Sequence, residues 1–196
     1  MKSKGFSYVA RADARVVILG SLPGKVSLER GKYYAQPYNS FWRIMGELVG
    51  ASPDRPYNYR LQKLKDNGIA LWDVCAAGCR GGSLDSSIQL ATVEANDLSE
   101  FLQAHARIDL ICFNGKKAKE IYDRKVRQEP CNRFERIRYA VLPSTSPAHA
   151  GMPYEQKLSQ WRSALGEGRK PRSIVIPGAS RSLTEVELYR CSHGGL

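Results

Sequence analysis

The sequence lacks the features that would place a protein in a membrane or outside the cell. No stretch of its 196 residues approaches the roughly 20 consecutive apolar residues that span a bilayer. The segment Met1–Gly5 leads into no apolar signal region, so we expect no export, no membrane partner and a cytoplasmic location. With 42% apolar residues, the chain can fold around its own core, and we expect a monomer.

Cysteine is too scarce to form a disulfide framework or a metal centre. The five cysteines are odd in number, and export is not expected, so we expect them to stay reduced. Cys75 and Cys79 are four residues apart, but no second close pair accompanies them. Cys112 lies in an apolar run and reads as a small buried hydrophobe. The cysteines therefore favour no metal site, and we also expect that no organic cofactor is required.

Acidic residues are too few to balance the basic ones. Nineteen Asp and Glu face 30 Lys and Arg, which gives a net charge of +11. Residues 167–196 hold five basic and three acidic side chains, so +9 belongs to the rest of the chain. An excess of this size indicates a polyanionic partner, most often nucleic acid.

The apolar pattern predicts an α/β fold. Helical patterns alternate with four short apolar runs, which favours a parallel sheet covered on both faces. We predict a domain over residues 1–166 and a tail or lid over 167–196, where periodicity is lost. The predicted strands are Arg15–Leu19, Ile69–Val74, Ile108–Phe113 and Ile137–Leu142. The predicted helices cover residues 41–48, 98–105, 116–127 and 153–165.

Right-handed crossovers would bring the loops that follow the four strands to one edge of the sheet. Ligands bind at that edge in open α/β sheets. The loop Gly20–Gly24, with a glycine at each end, could bind a phosphate through its backbone N–H groups. The chain lacks G-x-G-x-x-G and a complete Walker loop, so a nucleotide-binding protein is only an alternative. The predicted loops are Gly20–Gly24, Cys75–Ser87, Asn114–Lys117 and Pro143–His149.

Four motifs on these loops carry a family resemblance. They are GSLPG at 20–24, YYAQPYNSFW at 33–42, FNGKKA at 113–118 and LPSTSPAH at 142–149. As a set they resemble the uracil-DNA glycosylase superfamily over residues 14–165, and its hypoxanthine-DNA glycosylase branch most closely. The resemblance implies a three-layer α/β/α fold with a central four-stranded parallel sheet. It also implies a DNA glycosylase of base excision repair that flips uracil or hypoxanthine out of DNA, excises it and leaves an abasic site.

The resemblance assigns roles to residues around the base. Tyr34 would be the stacking platform, and Asn114 would read the lactam edge shared by uracil and hypoxanthine. Asn39 would hold the attacking water or stabilise charge on the sugar. The alternatives are a core position for Tyr34 and helix capping for Asn114 and Asn39. The first loop would add three residues to the substrate pocket, namely Ser21, Leu22 and Pro23.

Two leucines depart from the pattern of the relatives. Leu22 stands where several branches carry a water-binding Asp or Asn, and Leu142 stands where many carry a catalytic His. We expect His149 to take the second role. These departures leave open a catalytically weak protein that binds DNA lesions or abasic sites. Because the site loops show no lysine obviously desolvated for Schiff-base chemistry, we expect a monofunctional enzyme.

The remaining predicted contacts are with the DNA backbone and the gap left by the flipped base. Arg80 and the basic helix that begins at Lys116 would bind phosphates. We expect the three tryptophans and His105 to lie in the core. In the last loop the resemblance assigns DNA contacts to Ser144, Thr145, Ser146, Pro147 and Ala148.

Overall fold

The structure, a computed structural model, describes residues 2–82, 87–127 and 137–167, together with the backbone at 173–174 and 183–184. The strands in these parts are β1 (Lys2–Lys4), β2 (Val16–Gly20), β3 (Ile69–Asp73), β4 (Cys75–Cys79), β5 (Glu94–Ala95), β6 (Leu110–Asn114), β7 (Arg138–Leu142), β8 (Ser173–Ile174) and β9 (Leu183–Thr184). The helices are α1 (Lys25–Arg30), α2 (Phe41–Val49), α3 (Tyr57–Asp66), α4 (Leu98–Ala104), α5 (Lys116–Lys125) and α6 (Tyr154–Glu167).

The four predicted strands form one parallel sheet in the order β3-β2-β6-β7. Every residue of β2, β3 and β6 is buried, as continuous apolar runs require in a sheet covered on both faces. The predicted three-layer α/β/α fold is confirmed, and each strand lies within two residues of its predicted start.

Alternate side chains of β2 pack into two separate hydrophobic cores, one on each face of the sheet. Val17 and Leu19 of β2 point into the layer formed with α4 and α5. Val16 and Ile18 point into the layer formed with α2, α3 and α6. The three tryptophans are buried, as predicted, and so is His105, whose Nδ1 lies 2.8 Å from the Phe101 carbonyl oxygen.

The loop predicted at Cys75–Ser87 is wrong over its first part. Residues Cys75–Cys79 form β4, which pairs antiparallel with β1 and β5 in a second, three-stranded sheet. Small residues such as Ala and Gly give little strand signal. The partner strand β1 is also remote in sequence. Helices α1 and α3 were not predicted either, because they present few buried apolar residues.

Helix α6 continues to Glu167, one residue beyond the predicted domain boundary. The predicted tail at 167–196 otherwise lies outside the described residues, except for the pair β8–β9. The division into a domain and a tail therefore stays a prediction. In the described part of the chain no helix is long and apolar enough to cross a membrane.

Candidate active site

One cavity of about 300 Å³ opens where the carboxyl ends of the parallel strands meet. The crossovers place the loops after β2, β6 and β7 there, as the sequence analysis predicted. The cavity brings together all the predicted site residues except Lys116 and His149. Those lining it are Ser21, Leu22, Pro23, Tyr34, Asn39, Arg80, Asn114, Ser144, Thr145, Ser146 and Pro147.

The loop after β2 is held through its backbone carbonyls. The Arg80 guanidinium donates to the carbonyl oxygens of Leu22 at 2.7 Å and Pro23 at 3.3 Å. The Cys75 amide donates to the carbonyl oxygen of Ser21 at 3.0 Å. The structure thus gives Arg80 a second task, which is to fix this loop. Its predicted phosphate contact stays a prediction.

Tyr34 lies in the cavity wall with an unusual backbone. Its φ of 52° is the one positive value at a non-glycine residue in the described parts of the chain. Its ring stacks on Phe41, with centroids 3.9 Å apart and planes tilted by 21°. Phe41 therefore covers one face of the Tyr34 ring, and base stacking on Tyr34 stays a prediction.

Asn39 combines helix capping with a place in the cavity wall. Its Oδ1 accepts a hydrogen bond from the Phe41 amide at 3.0 Å, at the start of α2. The bond fixes the orientation of the amide, since a backbone N–H needs an oxygen partner. Nδ2 points away from that bond and can donate to a ligand, and Oδ1 keeps one further lone pair.

Asn114 is buried at the end of β6, with its amide engaged to Thr145. The Thr145 amide donates to Oδ1 at 2.9 Å, and Nδ2 donates to Thr145 Oγ1 at 2.9 Å. The amide keeps one further N–H and one further lone pair. Only those can reach a base edge while the pair with Thr145 is intact. Base reading by Asn114 stays a prediction.

Hydrogen bonds anchor the loop after β7 to the segment before α2 and to helix α6. The Thr145 carbonyl accepts from the Ser40 amide at 3.0 Å, just before α2. From α6, Trp161 Nε1 donates to the Pro143 carbonyl at 3.0 Å and Lys157 Nζ donates to the His149 carbonyl at 2.7 Å. A Cβ on Gly115 would lie 3.0 Å from Ser144 Cβ, so only glycine allows this approach.

His149 and Lys116 lie outside the cavity wall. His149 is exposed at the far end of the loop after β7, where its proposed catalytic role gains no support from the geometry. Lys116 is exposed at the first position of α5. Several other cations of that helix are paired, as in Lys117–Glu120 at 3.1 Å. Phosphate binding by Lys116 stays a prediction.

Sequence reasoning missed Asp73, the last residue of β3. Its carboxyl group is buried in the cavity wall, and a Cβ on Gly20 would lie 2.3 Å from its Oδ1. Burial raises the pKa of Tyr33, and the Asp73 charge raises it further. The signal was present: a polar residue ends a buried strand, as Asn114 does. The predicted strand extends to Val74, which places Asp73 inside the strand.

The cavity wall therefore offers an aromatic ring, a carboxylate, two amides and several hydroxyls, which together suit a flat polar ring. Among the described residues no cluster of His, Cys, Asp and Glu could hold a metal ion. Cys75 and Cys112 are buried free thiols, and burial raises the pKa of Cys112 to about 12. Cys131 and Cys191 lie outside the described residues.

Comparison with known proteins agrees with this geometry. The hypoxanthine DNA glycosylase of Methanosarcina acetivorans is 38% identical over 166 residues, which cover 84% of this chain and 99% of that protein. Its namesake from Methanosarcina barkeri is 37% identical over the same shares. A solution NMR structure from Methanosarcina acetivorans, of a candidate uracil DNA glycosylase, matches with a TM-score of 0.71 and 36% identity. That match covers 87% of this chain and 100% of the other.

The family model for the uracil DNA glycosylase superfamily matches residues 6–165, nearly the whole described region. It covers all four motifs and every lining residue of the cavity. The resemblance drawn from the motifs, including its hypoxanthine branch, is thus confirmed. The chain belongs to the uracil DNA glycosylase superfamily, and it is a DNA N-glycosylase.

Proposed function

We propose that this glycosylase excises hypoxanthine from DNA, with uracil as a second substrate. The nucleotide would be flipped into the cavity, and hydrolysis would leave an abasic site for base excision repair. Two relatives at 37–38% identity bear the name hypoxanthine DNA glycosylase, which supports hypoxanthine as the first substrate to test.

The observation that carries the proposal is the composition of the cavity wall. Tyr34 supplies a stacking surface. Asp73 and Asn114 supply an acceptor and a donor at the ends of β3 and β6, the two strands that flank β2. Both hypoxanthine and uracil carry an N–H beside a C=O. The Asp73 carboxylate can accept from that N–H, and the remaining Asn114 N–H can donate to the carbonyl.

The same pair of groups would separate a deaminated base from its parent. Adenine and cytosine carry a ring nitrogen lone pair in place of the N–H, and an amino group in place of the carbonyl. A lone pair facing the Asp73 carboxylate loses a hydrogen bond in a buried site, and sites built this way discriminate strongly. The cavity would therefore bind the deaminated bases in preference to adenine and cytosine.

Catalysis would rest on positioning and electrostatics. Leu22 is buried and cannot hold water, so Asn39 is the polar side chain that we assign to the sugar side. Its Nδ2 can donate to a water or to the departing base. An amide is a poor general base, so the oxocarbenium-like transition state must be favoured by fixed dipoles and a positioned water. We expect Asn39→Ala to slow excision by roughly 100-fold.

The exposure of the lysine at the cavity favours a monofunctional glycosylase, which forms no covalent enzyme–DNA intermediate. Lys25 is the lysine among the lining residues, and its side chain is 77% exposed. A Schiff-base amine needs desolvation or a cationic neighbour to be neutral, and an exposed lysine has no such help. The enzyme would therefore release the base and leave the strand intact.

The test uses duplex oligonucleotides that carry one deoxyinosine or one deoxyuridine. We expect strand breaks only after alkali treatment, with deoxyinosine cut faster. Breaks before alkali would contradict the monofunctional assignment. No breaks at stoichiometric protein, together with a mobility shift on the same DNA, would favour the lesion-binding alternative. Leu22 and Leu142 motivate that alternative because both are buried where relatives carry catalytic side chains.

A further inference from the structure

The backbone at Tyr34 needs outside support. A φ of 52° lies in the left-handed region, where the side chain of an aromatic L-residue crowds its own backbone. Such conformations persist when their surroundings fix them, and they cluster at functional sites. The surroundings of Tyr34 therefore identify the groups that hold it.

Two side chains hold the peptide groups on either side of Tyr33. The Tyr33 amide donates to the hydroxyl oxygen of Tyr57 at 2.9 Å. The Tyr33 carbonyl, which belongs to the peptide bond with Tyr34, accepts from Trp42 Nε1 at 2.9 Å. On the far side of Tyr34, the Ala35 amide donates to Ser27 Oγ at 3.2 Å. The backbone is thus fixed before and after the strained residue.

Tyr57 is itself held in place. Its ring meets Trp42 edge to face, with centroids 5.9 Å apart. The Arg60 guanidinium lies 4.6 Å from the Trp42 ring centroid and 5.4 Å from that of Tyr57. Burial raises the pKa of Tyr57, so its hydroxyl stays neutral. Tyr57 is the first residue of α3 and does not line the cavity.

We propose that Tyr57 is a positioning residue for the base-stacking platform. Through Tyr33 it keeps Tyr34 in the left-handed conformation, stacked on Phe41 in the cavity wall. This rests on the proposed function, in which Tyr34 stacks on the base. Helix α3 thereby acts on the reaction from outside the cavity.

The central test compares Tyr57→Phe with Tyr59→Phe. The first change removes one hydrogen-bond acceptor and keeps the ring. Tyr59 is two residues further along α3 and 42% exposed, so it serves as the matched control. We expect Tyr57→Phe to lower the single-turnover rate on deoxyinosine duplex by roughly tenfold, because small misplacements of a reacting group are costly. KM should change less than twofold, and Tyr59→Phe should match wild type.

A double-mutant cycle shows whether Tyr57 acts through Tyr34. In a Tyr34→Ala background we expect Tyr57→Phe to have no further effect, because the platform that it positions is gone. Trp42→Phe removes the second hydrogen bond and should mimic Tyr57→Phe, and it replaces that variant if Tyr57→Phe fails to fold by circular dichroism.

Different results would overturn the stacking role of Tyr34 and the positioning role of Tyr57. Wild-type rates for Tyr34→Ala would overturn the stacking role on which the inference rests. A slow Tyr34→Ala with a wild-type Tyr57→Phe would overturn only the role of Tyr57. The same holds if Tyr57→Phe costs its full factor in the Tyr34→Ala background, because that result marks a general effect on stability.

Discussion

At the scale of single residues, Gly20 is the described glycine at which an added Cβ would meet its nearest neighbour at the shortest distance. A Cβ there would lie 2.3 Å from Asp73 Oδ1 and 3.2 Å from the Tyr34 hydroxyl oxygen. The last residue of β2 therefore has to be glycine for Asp73 and Tyr34 to approach it this closely. At Gly20, residues of β2, β3 and the segment before α2 therefore meet.

We predict that Gly20→Ala disables the site more than it disables the fold. The added methyl group must displace Asp73 or Tyr34, and overpacking of this kind costs about 1–3 kcal/mol of stability. Excision of hypoxanthine should fall by roughly 100-fold, as for other misplacements near reacting groups.

The control is Gly24→Ala in the same loop, where a Cβ meets its nearest neighbour, Arg80 Nη1, only at 3.9 Å. Single-turnover rates and melting temperatures of the two variants decide the matter. Equal rates for both would show that the approach at Gly20 is irrelevant to the reaction.

Asp73 supports a graded prediction. Asp73→Ala removes the buried acceptor and should slow excision of both hypoxanthine and uracil by about 100-fold or more. Asp73→Asn keeps one carbonyl oxygen that can accept from the lactam N–H, so it should retain part of the activity. Asp66→Ala on α3, where the carboxylate is 42% exposed, is the control. An Asp73→Ala variant with wild-type rates would remove this residue from the recognition step.

At the scale of elements, helix α6 sets the position of the loop that carries the predicted DNA contacts. Lys157 is buried, and its ammonium group holds the His149 carbonyl at 2.7 Å. Trp161 holds the Pro143 carbonyl one turn later. The loop is thus tied to α6 near both ends.

The buried lysine makes stability depend on pH. Burial lowers the pKa of Lys157 below its usual value of 10.5. The unfolded chain then binds the proton more tightly than the folded chain, so this group favours folding more as the pH rises toward 10.5. We predict that the unfolding free energy of wild type, minus that of Lys157→Met, increases over this range.

Urea unfolding of both proteins between neutral pH and 10.5 measures this difference. Subtracting the variant removes titrations that the two proteins share. Parallel curves for the two proteins would contradict a depressed pKa. Lys157→Met should also slow excision, since the His149 carbonyl loses its donor and the loop loses one anchor.

At the scale of the whole molecule, the net charge of +11 should govern affinity for DNA. Cations that replace counterions at phosphates make binding fall steeply with salt, with a slope of about −0.9 per contact. We predict a steep loss of affinity for undamaged and damaged duplex alike between roughly 50 and 200 mM salt.

A pair of lysines on α5 sharpens this prediction. Within the described residues no carboxylate is in ion-pair distance of Lys116, whereas Lys119 is paired with Asp123. If Lys116 binds phosphate, Lys116→Ala should reduce the salt slope by about 1, and Lys119→Ala should change it less. Fluorescence anisotropy on an inosine duplex measures both. The same slope change for both variants would argue for general charge rather than a contact.

The sequence alone was enough to determine the sheet and the edge at which the site lies. Short runs rich in β-branched residues and followed by glycine, such as Val16–Leu19, favour buried strands, and parallel order then follows from the helices between them. The four motifs identified the family before any geometry was known. These features are local in the chain, so a pattern of neighbouring residues encodes them.

Only the tertiary structure decided which polar groups share the cavity and which are already engaged. It brought Asp73 against Gly20, tied the Asn114 amide to Thr145 and left His149 outside the wall. It also showed that Tyr57, outside the cavity, accepts a hydrogen bond from the Tyr33 amide, one residue before Tyr34. The physical reason is that hydrogen bonds and steric contacts between residues remote in sequence depend on distances of a few tenths of an ångström, which no local pattern encodes.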